Sequence, residues 1–213
     1  MDAATLPLPR WTPFGAPKPI AEALVIQVIE PGSIAGANML AERWSDLFPR
    51  SAFAGIELDL GARRIALAPI QETVWRAAKR LEVAFPQIVM VGVDRAAQRI
   101  LDVALCGGLA DVNAVLIDLP SAGIVVGHPP PRGAFRFVQH RPPDDPDGRL
   151  FDGTMQTLRA ASLDIRTMVI PDDAATTDRA VDTFLVELVT RASRSPSVRG
   201  RGPGAPAFPE RCA

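Results

Sequence analysis

The sequence predicts an α/β protein whose central, mostly parallel sheet is covered by helices on both faces. Short apolar, β-branched runs alternate with amphipathic segments along most of the chain. Several of these runs are continuously apolar, as expected of strands buried on both faces. The length of 213 residues suits one domain with a substantial core. Such an alternation implies right-handed crossovers between neighbouring parallel strands.

The first elements follow from this pattern in order. Residues 23–29 form an apolar run that predicts a strand, and Pro31-Gly32 ends it. Apolar residues then recur at helical spacing over 39–47. A second apolar strand is expected over 52–58. An amphipathic pattern with one apolar face predicts a helix over 72–85.

The second half of the chain continues the alternation. A buried strand over 88–93 runs into a helix over 95–106. Further strands are predicted at 114–119, 135–140 and 165–170, and further helices at 155–161 and 177–192. Together these segments predict a sheet of about six or seven strands.

Composition divides the chain into three parts. Residues 1–20 are rich in proline and are expected to be extended. Residues 21–194 are predicted to form the single α/β domain. Residues 195–213 are rich in Arg, Pro, Gly and Ser with few bulky apolar side chains, which predicts a disordered tail.

Net charge, the length of apolar runs and cysteine content predict the kind of partner and the location of the protein. A net charge of −1 favours neither nucleic acid nor an anionic membrane as a partner. No apolar run approaches the ~20 residues of a membrane span, and no secretory signal is visible. The two cysteines, Cys106 and Cys212, do not suggest a disulfide, which fits a reducing, cytoplasmic location. No cofactor and no metal are expected, and a homo-oligomer is compatible with the sequence.

The segment 87–98 has the layout of a strand, a sharp corner and a helix. Gly92 allows a close backbone approach, and Asp94 at the corner tolerates a left-handed conformation. This is the layout of the G-x-S-x-G nucleophile elbow, in which serine occupies the corner. Here Asp94 stands at the serine position and Ala96 at the last glycine.

Residues 23–188 resemble the phospholipase/carboxylesterase family of small bacterial α/β-hydrolases. Three stretches carry the resemblance: Val28–Asn38 is similar to the family's His-Gly-x-Gly loop, Ala52–Glu57 to its next strand, and Val91–Ala96 to its elbow. The resemblance implies a three-layer α/β-hydrolase fold and an ancestral carboxylic ester hydrolase site.

The chain departs from that family's pattern at each catalytic position. Glu30 and Pro31 replace the first-loop histidine and glycine, and proline removes a backbone N–H donor. The residue at the nucleophile position is Asp94. Asp145 best matches the family's acid, with Asp144 as second choice. No histidine follows the last strand, where the resemblance implies the general base.

The sequence leaves two possible roles open for several of the candidate site residues. Asp94 is either a carboxylate nucleophile, as in haloalkane dehalogenases, or a cap of the following helix, which is the favoured alternative. His140, at a strand end, is either a base for Asp94 or a structural histidine. Glu30, Gly32, Ser33 and Arg95 are candidates for ligand binding. The aspartates at 144, 145, 147, 172 and 173 form either an oxygen-rich cation site or a solvated acidic rim, and the rim is the favoured alternative.

Two hypotheses about function follow. In the first, the hydrolase machinery has been lost and the old cleft binds a small molecule or a protein partner. In the second, the protein is an esterase-like hydrolase with a rebuilt site that uses Asp94 and His140.

Overall fold

The computed structural model describes residues 10–16, 20–59, 67–106, 108–120, 124, 126–127, 129–140 and 148–195. Seven strands form one sheet: β1 (Arg10–Gly15), β2 (Ala23–Ile29), β3 (Ser51–Glu57), β4 (Ile88–Val93), β5 (Asn113–Ile117), β6 (Ala134–His140) and β7 (Asp164–Ile170). Five helices connect or follow them: α1 (Ile34–Leu47), α2 (Leu67–Leu81), α3 (Arg95–Leu105), α4 (Gly148–Ala160) and α5 (Ala174–Arg194). A short 3₁₀ turn, Phe85–Gln87, precedes β4.

The strand order β1-β3-β2-β4-β5-β6-β7 contains one reversal of direction. From β2 the chain moves outward to β3, then crosses back to β4 on the other side of β2 and continues outward to β7. All pairs except β1 with β3 are parallel. The carboxyl ends of β2 and β4 therefore flank a topological switch point, the place where open α/β sheets bind ligands.

Each central strand divides its side chains between two apolar layers. Leu24 and Ile26 face one layer, whereas Val25 faces the other, and β4 and β5 alternate in the same way. Helices α2, α3 and α4 cover the first face, and α1 and α5 cover the second. Burial on both faces explains why these strands are almost wholly apolar; the buried Gln27 of β2 and Asn113 of β5 are hydrogen-bonded.

The fold confirms the predicted three-layer α/β architecture and the number of strands. The helices begin earlier than predicted: α1 starts at Ile34 rather than 39, and α4 at Gly148 rather than 155. Residues 10–15 form an edge strand that pairs antiparallel with β3, where an extended segment was expected. Pro13 is tolerated there because an edge strand leaves one row of N–H groups unpaired by the sheet.

Some predictions concern residues outside the described part of the chain. These are the tail from 196 onward and the aspartates at 144, 145 and 147. Among the helices of the described residues, none has the length and apolarity needed to cross a bilayer.

Candidate functional site

The corner between β4 and α3 has the backbone geometry of a nucleophile elbow. Asp94 has φ 50° and ψ −118°, a combination that non-glycine residues rarely adopt. Its N–H donates to the carbonyl oxygen of Ile117 at 2.9 Å, and its own carbonyl accepts the N–H of Gln98 at 3.1 Å. These bonds tie the corner to the end of β5 and to the first turn of α3, which holds the strained conformation in place.

Gly92 is required by the close packing of β4 against α3. A Cβ at this position would lie 2.7 Å from Cδ1 of Ile100 and 2.8 Å from the backbone carbon of Ala96. Any larger residue would push the helix away from the strand. The glycine that the elbow pattern places two residues before the corner is thus explained by sterics.

The favoured interpretation of Asp94 as a helix cap is wrong. Asp94 occupies the position before α3, but its side chain makes no capping hydrogen bond. The unusual ψ of −118° differs from the extended conformation of an ordinary N-cap, in which the side chain folds back onto the N–H groups of the first turn. The Asp94 carboxylate therefore does not cap α3, and it lies among the residues that line the cleft at the strand end.

A second aspartate repeats this arrangement on the next strand. Asp118 follows β5 with φ 49°, and its N–H donates to the carbonyl of Val138 at 2.9 Å. Asp94 and Asp118 thus lie at the carboxyl ends of neighbouring strands, each in a left-handed conformation. His140 ends the next strand, β6, so three ionisable residues share one edge of the sheet.

His140 is the centre of a hydrogen-bonded chain. Its Nδ1 lies 2.7 Å from Oδ2 of Asp118, and its backbone N–H donates to Oδ1 of the same carboxylate at 2.9 Å. On the other side, its Nε2 lies 2.6 Å from Oγ1 of Thr177 in the first turns of α5. A carboxylate only accepts, which assigns the proton of neutral His140 to Nδ1. Nε2 then accepts the hydroxyl hydrogen of Thr177.

An open cleft of about 500 Å³ lies at the switch point between β2 and β4. Its lining residues are Val28, Ile29, Glu30, Ser33, Val93, Asp94, Arg95, Ala96 and Pro120. The walls are therefore mixed: aliphatic side chains from the strand ends stand beside two carboxylates and one guanidinium. The cleft volume falls in the usual range for small-molecule sites, ~300–1,000 Å³.

The loop that follows β2 has two backbone N–H groups that are already hydrogen-bonded within the protein. The N–H of Gly32 donates to Oε1 of Glu57 at 3.2 Å, and the N–H of Ser33 donates to the carbonyl of Glu30 at 3.1 Å. Position 31 is proline and has no N–H. The carboxylate of Glu57 thus accepts the hydrogen of the Gly32 N–H, which is one of the backbone donors that binding of an oxyanion would need.

The electrostatics of the cleft disfavour a charged Asp94. Partial burial raises the pKa of Asp94, and the neighbouring charge of Asp118 raises it further. Arg95 and His140 act in the opposite direction, whereas Glu30 adds to the rise. The net result is a pKa above the ordinary value of 3.8. Asp94 therefore holds its proton more tightly than an ordinary surface aspartate does.

The structure brings together most of the residues singled out from the sequence. Glu30, Ser33, Asp94 and Arg95 line the cleft, whereas Gly32 is not among its lining residues. His140 lies near enough for its charge to act on Asp94, but its hydrogen bonds go to Asp118 and Thr177. Asp145 lies outside the described residues. Within those residues, no group of three or more potential metal ligands lies together.

Sequence reasoning missed Asp118 and Thr177. A signal for Asp118 was available, since it is the first polar residue after the apolar run 114–117 and must therefore lie at the ligand-binding edge. Thr177 carries no comparable local signal, because its role depends on a histidine 37 residues away.

The chain has the α/β-hydrolase fold, as solved structures show. Esterase PE8 superposes with a TM-score of 0.67 at 14% identity, covering 85% of this chain and 100% of that chain. A phospholipase/carboxylesterase from Dyadobacter fermentans superposes with a TM-score of 0.61 at 12% identity, and the match covers 84% of this chain and 96% of that chain. A carboxylesterase from Mesorhizobium loti superposes with a TM-score of 0.55 at 13% sequence identity, and the match covers 78% of this chain and 89% of that chain. Neither a family model nor a curated protein sequence matches this chain.

The resemblance noted in the sequence is therefore confirmed at the level of the fold. Esterases and phospholipase/carboxylesterases are among the proteins that share it. Identities of 11–14% carry no information about which reaction, if any, is retained.

Proposed function

We propose that the protein binds a small molecule in the cleft between β2 and β4 and does not hydrolyse esters at its elbow. The observation that carries this proposal is the cleft of about 500 Å³ at the topological switch point, with Asp94 among its lining residues. A pocket of this size and shape suits a small molecule better than the flat contact area of a protein partner.

The lining residues indicate the chemistry of the ligand. Two carboxylates and one guanidinium leave no excess of positive charge, which disfavours a simple anion. The aliphatic residues Val28, Ile29 and Val93 provide apolar contact at the strand ends. We therefore expect a neutral, partly apolar molecule, with the carbonyl of a short-chain ester or amide as its polar group.

Three features argue against ester hydrolysis at the elbow. The corner residue is a carboxylate rather than a hydroxyl, and its pKa is raised rather than lowered. The Gly32 N–H is engaged by Glu57. The Nε2 of His140 is engaged by Thr177 at 2.6 Å. Binding needs none of these catalytic functions, because the cleft is lined by the side chains that occupy the strand ends, Asp94 among them.

A blocking variant tests the binding proposal. The probes are methyl esters of short-chain carboxylic acids and the free acids, followed by ligand-observed NMR. Val93 is 48% exposed in the cleft wall, so Val93→Trp should fill the site and abolish the signal of the esters. Val186 has the same 48% exposure on α5 outside the cleft lining, and Val186→Trp is the matched control. Equal binding by both variants would refute the proposal.

One observation favours a second candidate, a hydrolase that uses Asp94 as nucleophile and His140 as base. The Asp118–His140 pair orients an imidazole beside the elbow, near enough to Asp94 to influence its pKa. In this reaction a carboxylate oxygen of Asp94 would displace a leaving group from carbon, and water activated by His140 would cleave the resulting ester.

Isotope labelling separates the second candidate from the first. A single turnover in H₂¹⁸O would place ¹⁸O in the carboxyl group of Asp94, which mass spectrometry detects in the tryptic peptide 81–95. Turnover that is lost in Asp94→Asn, together with this label, would favour the hydrolase. We expect neither result, because His140 faces Thr177.

A further inference from the structure

The Asp118–His140–Thr177 chain is a carboxylate–imidazole–hydroxyl relay that does not include the elbow residue Asp94. Its two links measure 2.7 Å and 2.6 Å. The three residues come from the end of β5, the end of β6 and the first turns of α5, so three elements converge to build it. Neither His140 nor Thr177 lines the cleft.

We propose that Thr177 is a nucleophile that accepts acyl or phosphonyl groups from activated esters, with His140 as its base and Asp118 as the residue that orients the base. A carboxylate that holds the Nδ1 proton leaves the Nε2 lone pair directed at the hydroxyl, which is the arrangement that activates a hydroxyl for attack. The chain satisfies that arrangement with residues other than the one at the elbow.

The hydroxyl of Thr177 has a choice of two acceptors. Its Oγ1 lies 2.6 Å from Nε2 of His140 and 2.9 Å from the carbonyl oxygen of Asp173. The hydroxyl has one hydrogen and donates it to one acceptor at a time. The shorter distance favours Nε2 of His140, and rotation about the Cβ–Oγ1 bond turns the hydrogen to the carbonyl of Asp173. Thr177 is half-buried, and its neighbours Asp172 to Ala175 are exposed, so an activated ester can approach from solvent.

When Thr177 reacts with a fluorophosphonate, the Oγ1–P bond forms and the P–F bond breaks. The hydroxyl proton passes to Nε2 of His140, and fluoride leaves. The imidazolium then returns its proton to solvent. The N–H groups of Thr176 and Thr177 already bond to Asp173, so they are not available to a developing oxyanion. We therefore expect one stoichiometric modification rather than turnover.

The test is labelling with a fluorophosphonate that carries an alkyne, followed by peptide mass spectrometry. Thr177 lies in the tryptic peptide 167–179, and fragmentation distinguishes it from Thr167 and Thr176. Thr183 is the matched control: it lies in the same helix, its Oγ1 donates to Arg179 O at 2.7 Å, and it belongs to the separate peptide 180–191. We expect an adduct at Thr177 and none at Thr183.

Variants then test the role of each group. Thr177→Val should abolish the adduct, Thr177→Ser should retain it, and Asp118→Asn should slow labelling by about 10²-fold or more, because it disturbs the protonation of His140. Thr183→Val should leave the rate unchanged. If a Thr177 variant does not fold, the mapped adduct on the wild-type chain decides. No adduct, equal labelling of both peptides, or an adduct that survives in Thr177→Val would overturn the proposal.

Discussion

At the scale of single residues, Asp94 keeps the backbone of a nucleophile while the groups around it serve other partners. Its φ of 50° and ψ of −118° do not bring the side chain into a cap of α3. Strain of this kind costs about 1–3 kcal/mol and persists only where the surroundings impose it. Here the bond to Ile117 and the contact of α3 with Gly92 impose it.

Placing serine at the corner should therefore not give the protein esterase activity. We expect Asp94→Ser to hydrolyse p-nitrophenyl butyrate no faster than the wild-type protein. A serine hydroxyl needs a base within about 3 Å, and the Nε2 of His140 is already bonded to Thr177. The engaged N–H of Gly32 also leaves an oxyanion without one of its donors.

The measurement compares initial rates for the two proteins, after circular dichroism has confirmed that the variant folds. A rise in rate that follows Asp94→Ser and disappears in the double variant Asp94→Ser/His140→Asn would show that His140 reaches the elbow. That result would support the rebuilt-site hydrolase over the binding protein.

At this scale the sequence allowed part of the site to be predicted. A strand, a glycine and a corner residue are local features, so the elbow was evident from six consecutive residues, 91–96. The relay was not, because its members come from positions 118, 140 and 177, and no local spacing connects them. Only the sheet order and the register of β5 and β6 bring them together.

At the scale of secondary-structure elements, burial determined which boundaries could be predicted. The strand 23–29 was predicted with the bounds that the structure has, because every residue but the last is buried and apolarity marks both ends. The first turns of α1 and α4 were missed. They contain glycine and exposed residues, and their helical state follows from the direction in which the chain leaves the sheet rather than from apolar periodicity.

A buried arginine, Arg136, connects β6, β7 and α5. Arg136 of β6 is 1% exposed, and its guanidinium donates to Glu187 of α5 at 2.6 and 3.1 Å and to Asp164 of β7 at 3.1 Å. Its hydrogen bonds lower the pKa of Glu187. Partial burial raises the pKa of Asp164, but Arg191 and Arg136 outweigh it and the net shift is downward.

Removing this arginine should destabilise the fold in a pH-dependent way. We expect Arg136→Met to lower the free energy of unfolding by about 2–4 kcal/mol at pH 7, because two carboxylates lose a buried partner. A carboxylate with a lowered folded pKa stabilises the protein above its ordinary pKa, and this stabilisation is lost as the pH falls through the lowered value. The difference between the two proteins should therefore shrink below the ordinary values of 4.5 for Glu187 and 3.8 for Asp164.

Urea unfolding at a series of pH values measures this effect. The matched control is Arg132→Met, because the side chain of Arg132 is 84% exposed and its Nε lies 3.9 Å from Asp111. That change should stay within about 0.5 kcal/mol at every pH. A pH-independent loss in Arg136→Met would mean that packing, rather than charge pairing, accounts for the contribution of Arg136.

At the scale of the whole molecule, the two apolar layers share the same strands. Alternate residues of β2, β4 and β5 enter opposite layers, so neither layer can lose its packing without exposing strands on which the other depends. The cleft and the relay both lie at the carboxyl edge of this sheet. Their geometry therefore depends on both layers at once.

This arrangement predicts a single cooperative unfolding transition. Trp44 lies in the layer of α1 and α5, and the half-buried Trp75 lies on α2, which covers the opposite face. The chain has three tryptophans, so a variant that keeps only Trp44 and a variant that keeps only Trp75, with phenylalanine at the other two positions, give one reporter on each face. Leu101→Ala in one layer and Leu185→Ala in the other should each cost about 2–5 kcal/mol, since both leucines are fully buried. Each substitution should shift the urea midpoint of both reporters equally. A midpoint that moves for Trp44 alone in Leu185→Ala would show that the layers unfold independently, and the site could then be lost while half of the core remains intact.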